Sequence, residues 1–162
     1  MSAAPGPAPG PAPGPAIVLV RPLIPGNTGS VARTCAALRI DLCLVGPLGF
    51  DLSERAVRRA GLDYWPHVPL HRFDSWDDFL ARRAPPANAL FAFEEFGAAS
   101  AYDVDWPEGA HLVFGSETVG LPEEVLGVCR GVRLPMRSGH VRSLNLANAA
   151  TAAAYLAFRR LL

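Results

Sequence analysis

Apolar residues along this chain fall into short, nearly unbroken runs, and the segments between them carry helical spacing. Ile17–Val20, Leu42–Val45, Ala89–Phe93 and Ala110–Phe114 are too short for helices and too continuous to alternate, and Val132-Arg133-Leu134 is a further short segment with one arginine between two apolar residues. Such runs suit strands buried on both faces of a parallel sheet. Between the first two, Val31, Ala32, Cys35, Ala36 and Leu38 share one side of a helix, with Arg33 facing elsewhere. Ser53 is placed to cap a helix over 54–60, and Ser75 one that ends at Arg83 and turns Trp76, Phe79 and Leu80 to the core. Pro122 fits the first position of a short helix, with Glu123 and Glu124 toward its positive end. A last helix, from about Asn145 to Leu161, is capped by Ser143 or Asn145. Its many alanines let other backbones approach closely, within the fold or across a subunit contact. Strands alternating with helices predict an α/β protein with a mostly parallel sheet flanked by helices.

Glycine and proline mark three breaks that each follow a strand: 26–30 (GNTGS), 115–120 (GSETVG) and 135–143 (PMRSGHVRS). Ligands of open parallel sheets bind at the carboxyl ends of the strands, so the three loops are expected to converge on one site. The first resembles a phosphate cradle in outline, yet it matches neither a P-loop nor a dinucleotide fingerprint. The last crowds Arg137, His140 and Arg142 onto a short turn, more cation than a structural connection needs. Arg55, Arg58 and Arg59 precede Tyr64 and Trp65. That grouping is either a solvated charged face or an RNA contact, with arginine for phosphate and exposed rings for stacking.

Composition narrows the picture. At 162 residues, half of them apolar, the chain makes one domain over 17–162 behind a Pro/Ala/Gly tail over 1–16 expected to be disordered. Fifteen basic residues balance fifteen acidic ones, so no global polyanion-binding character is present; every basic residue is arginine, a planar donor fork suited to phosphate. Cys35, Cys43 and Cys129 lack metal or disulfide spacing and read as reduced thiols. No metal is expected. No apolar run is long enough for a membrane span and no signal segment is evident, which places the protein in the cytoplasm.

Three segments together resemble the motifs of the SPOUT methyltransferases, in the order of the SpoU/TrmH branch: Asn27-Thr28-Gly29 with Arg33; Phe114-Gly115-Ser116-Glu117-Thr118 with Gly120-Leu121-Pro122; and Pro135-Met136 followed by Arg142-Ser143-Leu144-Asn145-Leu146 with Asn148. Arg58-Arg59-Ala60-Gly61-Leu62-Asp63-Tyr64 is similar to the small single-domain TrmL/YibK type. The resemblance implies a SPOUT fold with a C-terminal trefoil knot and S-adenosylmethionine (SAM) held by the knot loops. It also implies a homodimer, and methyl transfer to the ribose 2′-OH of the wobble nucleotide, position 34, in the anticodon stem-loop of a tRNA. Phe93, Gly115, Gly120, Leu134, Met136 and Ser143 would hold SAM. Arg33, Ser143, Asn145, Asn27 and Glu117 would form the catalytic group, with Arg33 either assisting deprotonation of the 2′-OH or, the role a guanidinium favours, anchoring the adjacent phosphate. Arg58, Arg59, Tyr64, Arg142 and Tyr155 would meet RNA. The alternatives are the same chemistry at another tRNA or rRNA site, and a non-catalytic SAM- or RNA-binding dimer. Four positions depart from the pattern: Glu94 and Glu95 replace uncharged and basic residues, Val119 replaces an arginine, and Arg21 replaces an acidic residue. The two carboxylates and the lost cation weaken phosphate attraction at the cleft.

Overall fold

The computed structural model describes residues 13–59 and 62–162, with the side chains of 54, 57 and 58 outside the description. Of the tail expected over 1–16, residues 1–12 lie outside the described residues and Ala16 belongs to the first strand. Seven strands form one sheet: β1 Ala16–Val20, β2 Asp41–Val45, β3 Leu70–Phe73, β4 Leu90–Phe93, β5 Ala99–Ser100, β6 His111–Phe114 and β7 Arg130–Arg133. Their order is β3-β2-β1-β6-β4-β7-β5, and every neighbouring pair is parallel. The α/β reading holds. The sheet starts one residue earlier than Ile17, because Ala16 is fully buried and pairs with both Asp41 and His111. Two short strands escape the apolar-run criterion. β3 has the exposed pair His71 and Arg72 at its centre, and β5 is two residues long.

β1 shows how the sheet divides the core. Ile17 and Leu19 face one apolar cluster, and Ala16, Val18 and Val20 face the other, following the two-residue period of a strand. The first face is covered by α1 (Pro25–Leu38) and α5 (Leu146–Ala157), the second by α3 (Trp76–Arg83) and α4 (Glu123–Leu126). The helix α2 (Glu54–Arg59) begins where Ser53 Oγ accepts the Ala56 N–H at 3.2 Å. Ser75 caps α3 by accepting the Asp78 N–H at 3.1 Å.

Two helix starts differ from the sequence reading. α1 begins at Pro25, so 26–30 is its first turn and a little more, not a glycine-rich loop. Proline at the first helical position has its φ preset and lacks only an N–H that would be unpaired there. Pro122 immediately precedes α4 with ψ 154°, outside helical geometry, and so acts as its cap residue. At the other end of the chain α5 stops at Ala157, and the expected extension to Leu161 is a tighter 3₁₀ turn over Arg159–Leu161.

The alanines of α5 do pack within the fold. Ala147, Ala150, Ala153, Ala154 and Ala157 are buried, and Thr151 meets Thr34 of α1 hydroxyl to hydroxyl at 2.7 Å. At the amino ends of the central strands the fully buried His111 accepts from Arg83 Nε at 3.1 Å and donates through Nδ1 to the Gly109 carbonyl at 2.8 Å. Arg83 also pairs with Asp41 at 2.7 Å and donates to the Gly14 carbonyl at 3.0 Å. That network ties the entry of the chain to the sheet at the end opposite the loops described next.

Candidate active site

The carboxyl ends of β6, β4 and β7 lie side by side, and the segments leaving them bound a cavity of about 940 Å³ with Ile24 and Asn27 from the start of α1. Its floor is aromatic. The Phe93 ring lies 4.8 Å from that of Phe114 at 15° and 6.1 Å from that of Trp106 at 5°. The Trp106 indole N–H donates to the Ala101 carbonyl at 3.1 Å, which fixes the stack from below. Leu134, Leu121 and Leu146 extend the apolar lining.

The segment after β6 is closed on itself. Ser116 and Gly120 form an antiparallel bridge, Gly120 N–H donates to the Ser116 carbonyl at 3.1 Å, and Gly120 has φ +78°. A Cβ on Gly115 would sit 2.2 Å from the Gly120 carbonyl carbon, closer than any side chain tolerates. Glycine at 115 therefore lets backbone approach backbone, and glycine at 120 supplies the left-handed turn. Both line the cavity.

Glu117 ties this loop to the start of α1. Its carboxylate accepts from Leu23 N–H at 2.8 Å, Ile24 N–H at 3.1 Å and Asn27 Nδ2 at 3.3 Å. Partial burial pushes this carboxyl up, but the Leu23, Glu117 and Ile24 amides and the Asn27 side chain outweigh that and hold it below the ordinary carboxylate range. Asn27 Oδ1 in turn accepts from Asn145 Nδ2 at 3.0 Å, and Asn145 Oδ1 caps α5 by accepting from Ala147 N–H at 2.9 Å and Asn148 N–H at 3.2 Å. Three residues distant in sequence thus lock three elements around one cavity. Ser143 stands beside them, exposed on the cavity wall.

The rim carries mixed charge. Glu94, Glu95 and Arg142 line it, together with Phe96 and Val119, each 85% exposed. Arg133 steadies the segment after β4 by donating to the carbonyls of Gly97 at 2.8 Å and Ala98 at 3.1 Å. Arg21 is engaged outside the cavity, with its guanidinium 3.1 Å from Glu124.

The structure therefore gathers Asn27, Phe93, Gly115, Glu117, Gly120, Leu134, Met136, Arg142, Ser143 and Asn145 around one cavity. It does not bring Arg33, Arg59, Tyr64 or Tyr155 to that cavity within the same chain, and the side chain of Arg58 lies outside the described residues. Arg33 is exposed on α1 with its guanidinium 5.6 Å from the centre of the Tyr64 ring. Tyr64 is not the freely displayed ring expected from its arginine neighbours. It is half-buried, its hydroxyl donates to the Gly29 carbonyl at 2.8 Å, and Arg33 lies over its ring. Burial raises its phenol above the usual tyrosine range, with Arg33 opposing and Asp63 adding to the shift. Trp65 is likewise packed against the core. Sequence reasoning missed Trp106 and Arg133, whose roles rest on a ring stack and on carbonyls distant in the chain that no local pattern announces. Among the described residues no group of His, Cys, Asp and Glu is arranged to hold a metal ion, and no helix is long and apolar enough to cross a membrane.

A parallel α/β sheet with a cavity at the carboxyl ends of its strands, framed by hydrogen-bonded Asn27, Glu117 and Asn145, is what the resemblance to the SAM-binding RNA methyltransferases leads one to expect. The chain belongs to the SpoU rRNA Methylase family, which matches residues 14–155. It is 44% identical over 147 residues to the tRNA (cytidine(34)-2′-O)-methyltransferase of Burkholderia ambifaria, covering 89% of this chain and 94% of that one. A structure solved for the 2-OH methylation of C/U34 on tRNA is 52% identical, with a TM-score of 0.81, over 90% of this chain and 95% of that chain. An AdoMet-bound rRNA methyltransferase from Sinorhizobium meliloti is 29% identical with a TM-score of 0.79, over 92% of this chain and 57% of that one.

Proposed function

We propose that this protein is a SAM-dependent methyltransferase that modifies the ribose 2′-OH of nucleotide 34 in the anticodon stem-loop of a tRNA. The observation that carries the reading is the frame of Glu117, Asn27 and Asn145, which ties the 115–120 loop to the starts of α1 and α5 around a cavity with an aromatic floor. These residues fit SAM. Phe93 and Leu134 offer flat apolar surface to an adenine ring, Met136 adds a flexible apolar contact, and the open space beside Gly120 leaves room for a ligand against the loop that Gly115 allows to close. When bound, SAM supplies a methyl carbon that is already electrophilic, and the protein contributes orientation.

The side chains divide that work. Glu117, Asn27 and Asn145 direct most of their polar atoms at one another and at backbone, so they position the loops. Ser143 and Arg142 face the cavity and are placed to touch the ribose and its flanking phosphate. Arg33 anchors a phosphate and stabilises developing charge, a task its planar donor fork suits. Because Arg33 stands outside its own chain's cavity, the reading includes a homodimer in which a second copy brings it to the site. It also includes the C-terminal trefoil knot, supported by the insertion of β6 between β1 and β4 and of β7 between β4 and β5. A cytoplasmic location follows from such a substrate. Glu94 and Glu95 on the rim favour a second reading, the same transfer at a different RNA position.

Tritium transfer from labelled SAM to bulk tRNA, followed by nuclease digestion and mapping, tests the proposal. A 2′-O-methylated nucleoside at position 34 supports it. Transfer elsewhere selects the second reading, and no transfer with no SAM binding overturns both.

A further inference from the structure

We infer that Tyr64 is a positioning residue for Arg33, bracing one turn of α1 so that the guanidinium is presented to the substrate phosphate in a fixed direction. The inference rests on the reading of Arg33 as a phosphate anchor. Tyr64 touches both ends of that turn. Its hydroxyl donates to the Gly29 carbonyl at 2.8 Å, and the Arg33 guanidinium lies 5.6 Å from its ring centre. In an α-helix the Gly29 carbonyl is also the acceptor for the Arg33 N–H, so the phenol and the arginine backbone share one anchor.

The brace itself is held. Trp65 N–H donates to the Leu62 carbonyl at 3.2 Å and His67 N–H to the Tyr64 carbonyl at 2.9 Å, which makes a tight turn running into the 3₁₀ segment Trp65–His67. A Cβ on Gly29 would lie 3.8 Å from both Leu62 methyl carbons and from the Tyr64 hydroxyl, so this segment is seated against α1 at contact distance. An exposed arginine otherwise samples many rotamers. A guanidinium held over a ring face is restricted while its in-plane N–H donors stay available to an oxyanion. Tyr64 thereby acts through Arg33, and its ring contributes more than its hydroxyl.

The test measures kcat and KM for tRNA, SAM affinity by calorimetry and thermal midpoint for Tyr64→Phe, Tyr64→Leu, Arg33→Ala, Arg33→Lys and the Tyr64→Leu/Arg33→Lys pair. Tyr64→Phe keeps the ring and is expected within about threefold of wild type, and Tyr64→Leu loses roughly tenfold in kcat/KM with SAM affinity unchanged. In the Arg33→Lys background, where the planar fork is gone, the same leucine substitution costs less than about twofold. An equal loss in both backgrounds, or an equal loss for Phe and Leu, makes Tyr64 a structural residue only and overturns the inference. Arg33→Ala with wild-type activity removes the role of Arg33, and the inference falls with that reading instead of with the geometry of the brace.

Discussion

Asn145 and Asn27 hydrogen-bond side chain to side chain at 3.0 Å although 118 residues separate them. The contact joins the cap of the last helix to the first turn of the first one. Asn145 Oδ1 is committed to two α5 amides, so its Nδ2 has a fixed direction toward Asn27, whose own Nδ2 is turned to Glu117. The amide of each asparagine acts at once as donor and acceptor. No other side chain of similar size does both in a plane.

Asn145→Ala removes a helix cap and the link together, and is expected to lower unfolding free energy by about 1–2 kcal/mol in urea titration. Asn145→Asp separates the two functions. Its carboxylate oxygens still cap α5, so most of the stability returns, but it has no Nδ2 to donate to Asn27 and the methylation rate stays low. Recovery of full activity in Asn145→Asp would show that the inter-loop link is dispensable.

Gly115→Ala places a methyl group 2.2 Å from the Gly120 carbonyl carbon, where the loop is already closed by the Ser116–Gly120 bridge. The backbone has to open, and the cavity wall opens with it. SAM affinity measured by calorimetry is expected to fall by at least about tenfold, as misplaced binding groups commonly cost. Thermal stability falls less, because the loop lies at the edge of the core. Unchanged SAM affinity would place the ligand elsewhere.

Much of this site was legible before any coordinates. Apolar runs ending at Phe93, Phe114 and Leu134 locate strand ends within a residue, and Gly115 and Pro135 mark the loops after the last two. The first turn of α1 was not legible, since Gly26, Asn27 and Gly29 read as a loop unless Pro25 is weighted as a helix start. β3 was hidden by its exposed edge residues. Tyr64 misled for a different reason: an aromatic beside arginines reads as a stacking surface, and only tertiary packing reveals that Gly29 and Arg33 already occupy it. The pairing of Glu117, Asn27 and Asn145 is a long-range hydrogen-bond relation, which periodicity and propensity do not encode.

His111 makes stability pH-dependent. Burial is the main cause that lowers its pKa from 6.5 to about 4, with Arg83 adding to the fall while the Gly109 carbonyl and Asp41 oppose it. Between those values the unfolded chain binds a proton that the folded chain does not, so the contribution is complete above pH 6.5 and lost as pH falls toward 4. The slope approaches ~1.4 kcal/mol per pH unit, for a total on the order of 3 kcal/mol. Denaturant midpoints of wild type and His111→Gln from pH 7 to pH 4.5 check it. The wild type is expected to lose stability faster on acidification, and parallel curves would contradict the assignment.

Glu94 and Glu95 stand, with Arg142, on the rim of a cavity that has to admit a polyanion. Two exposed carboxylates there raise the local negative potential, and the repulsion of phosphate is screened over a Debye length of ~8–10 Å at moderate salt. Glu94→Gln/Glu95→Gln is therefore expected to lower KM for tRNA by several-fold at low ionic strength, with the advantage shrinking as salt rises, because the term is electrostatic and independent of base sequence. SAM affinity should not move, since the aromatic floor and the 115–120 loop are untouched. Kinetics with tRNA across a salt series, set beside SAM calorimetry, distinguish the cases. A higher KM at every salt concentration would mean that these carboxylates accept hydrogen bonds from the bound nucleotide, and the rim would then be a reading surface rather than a barrier.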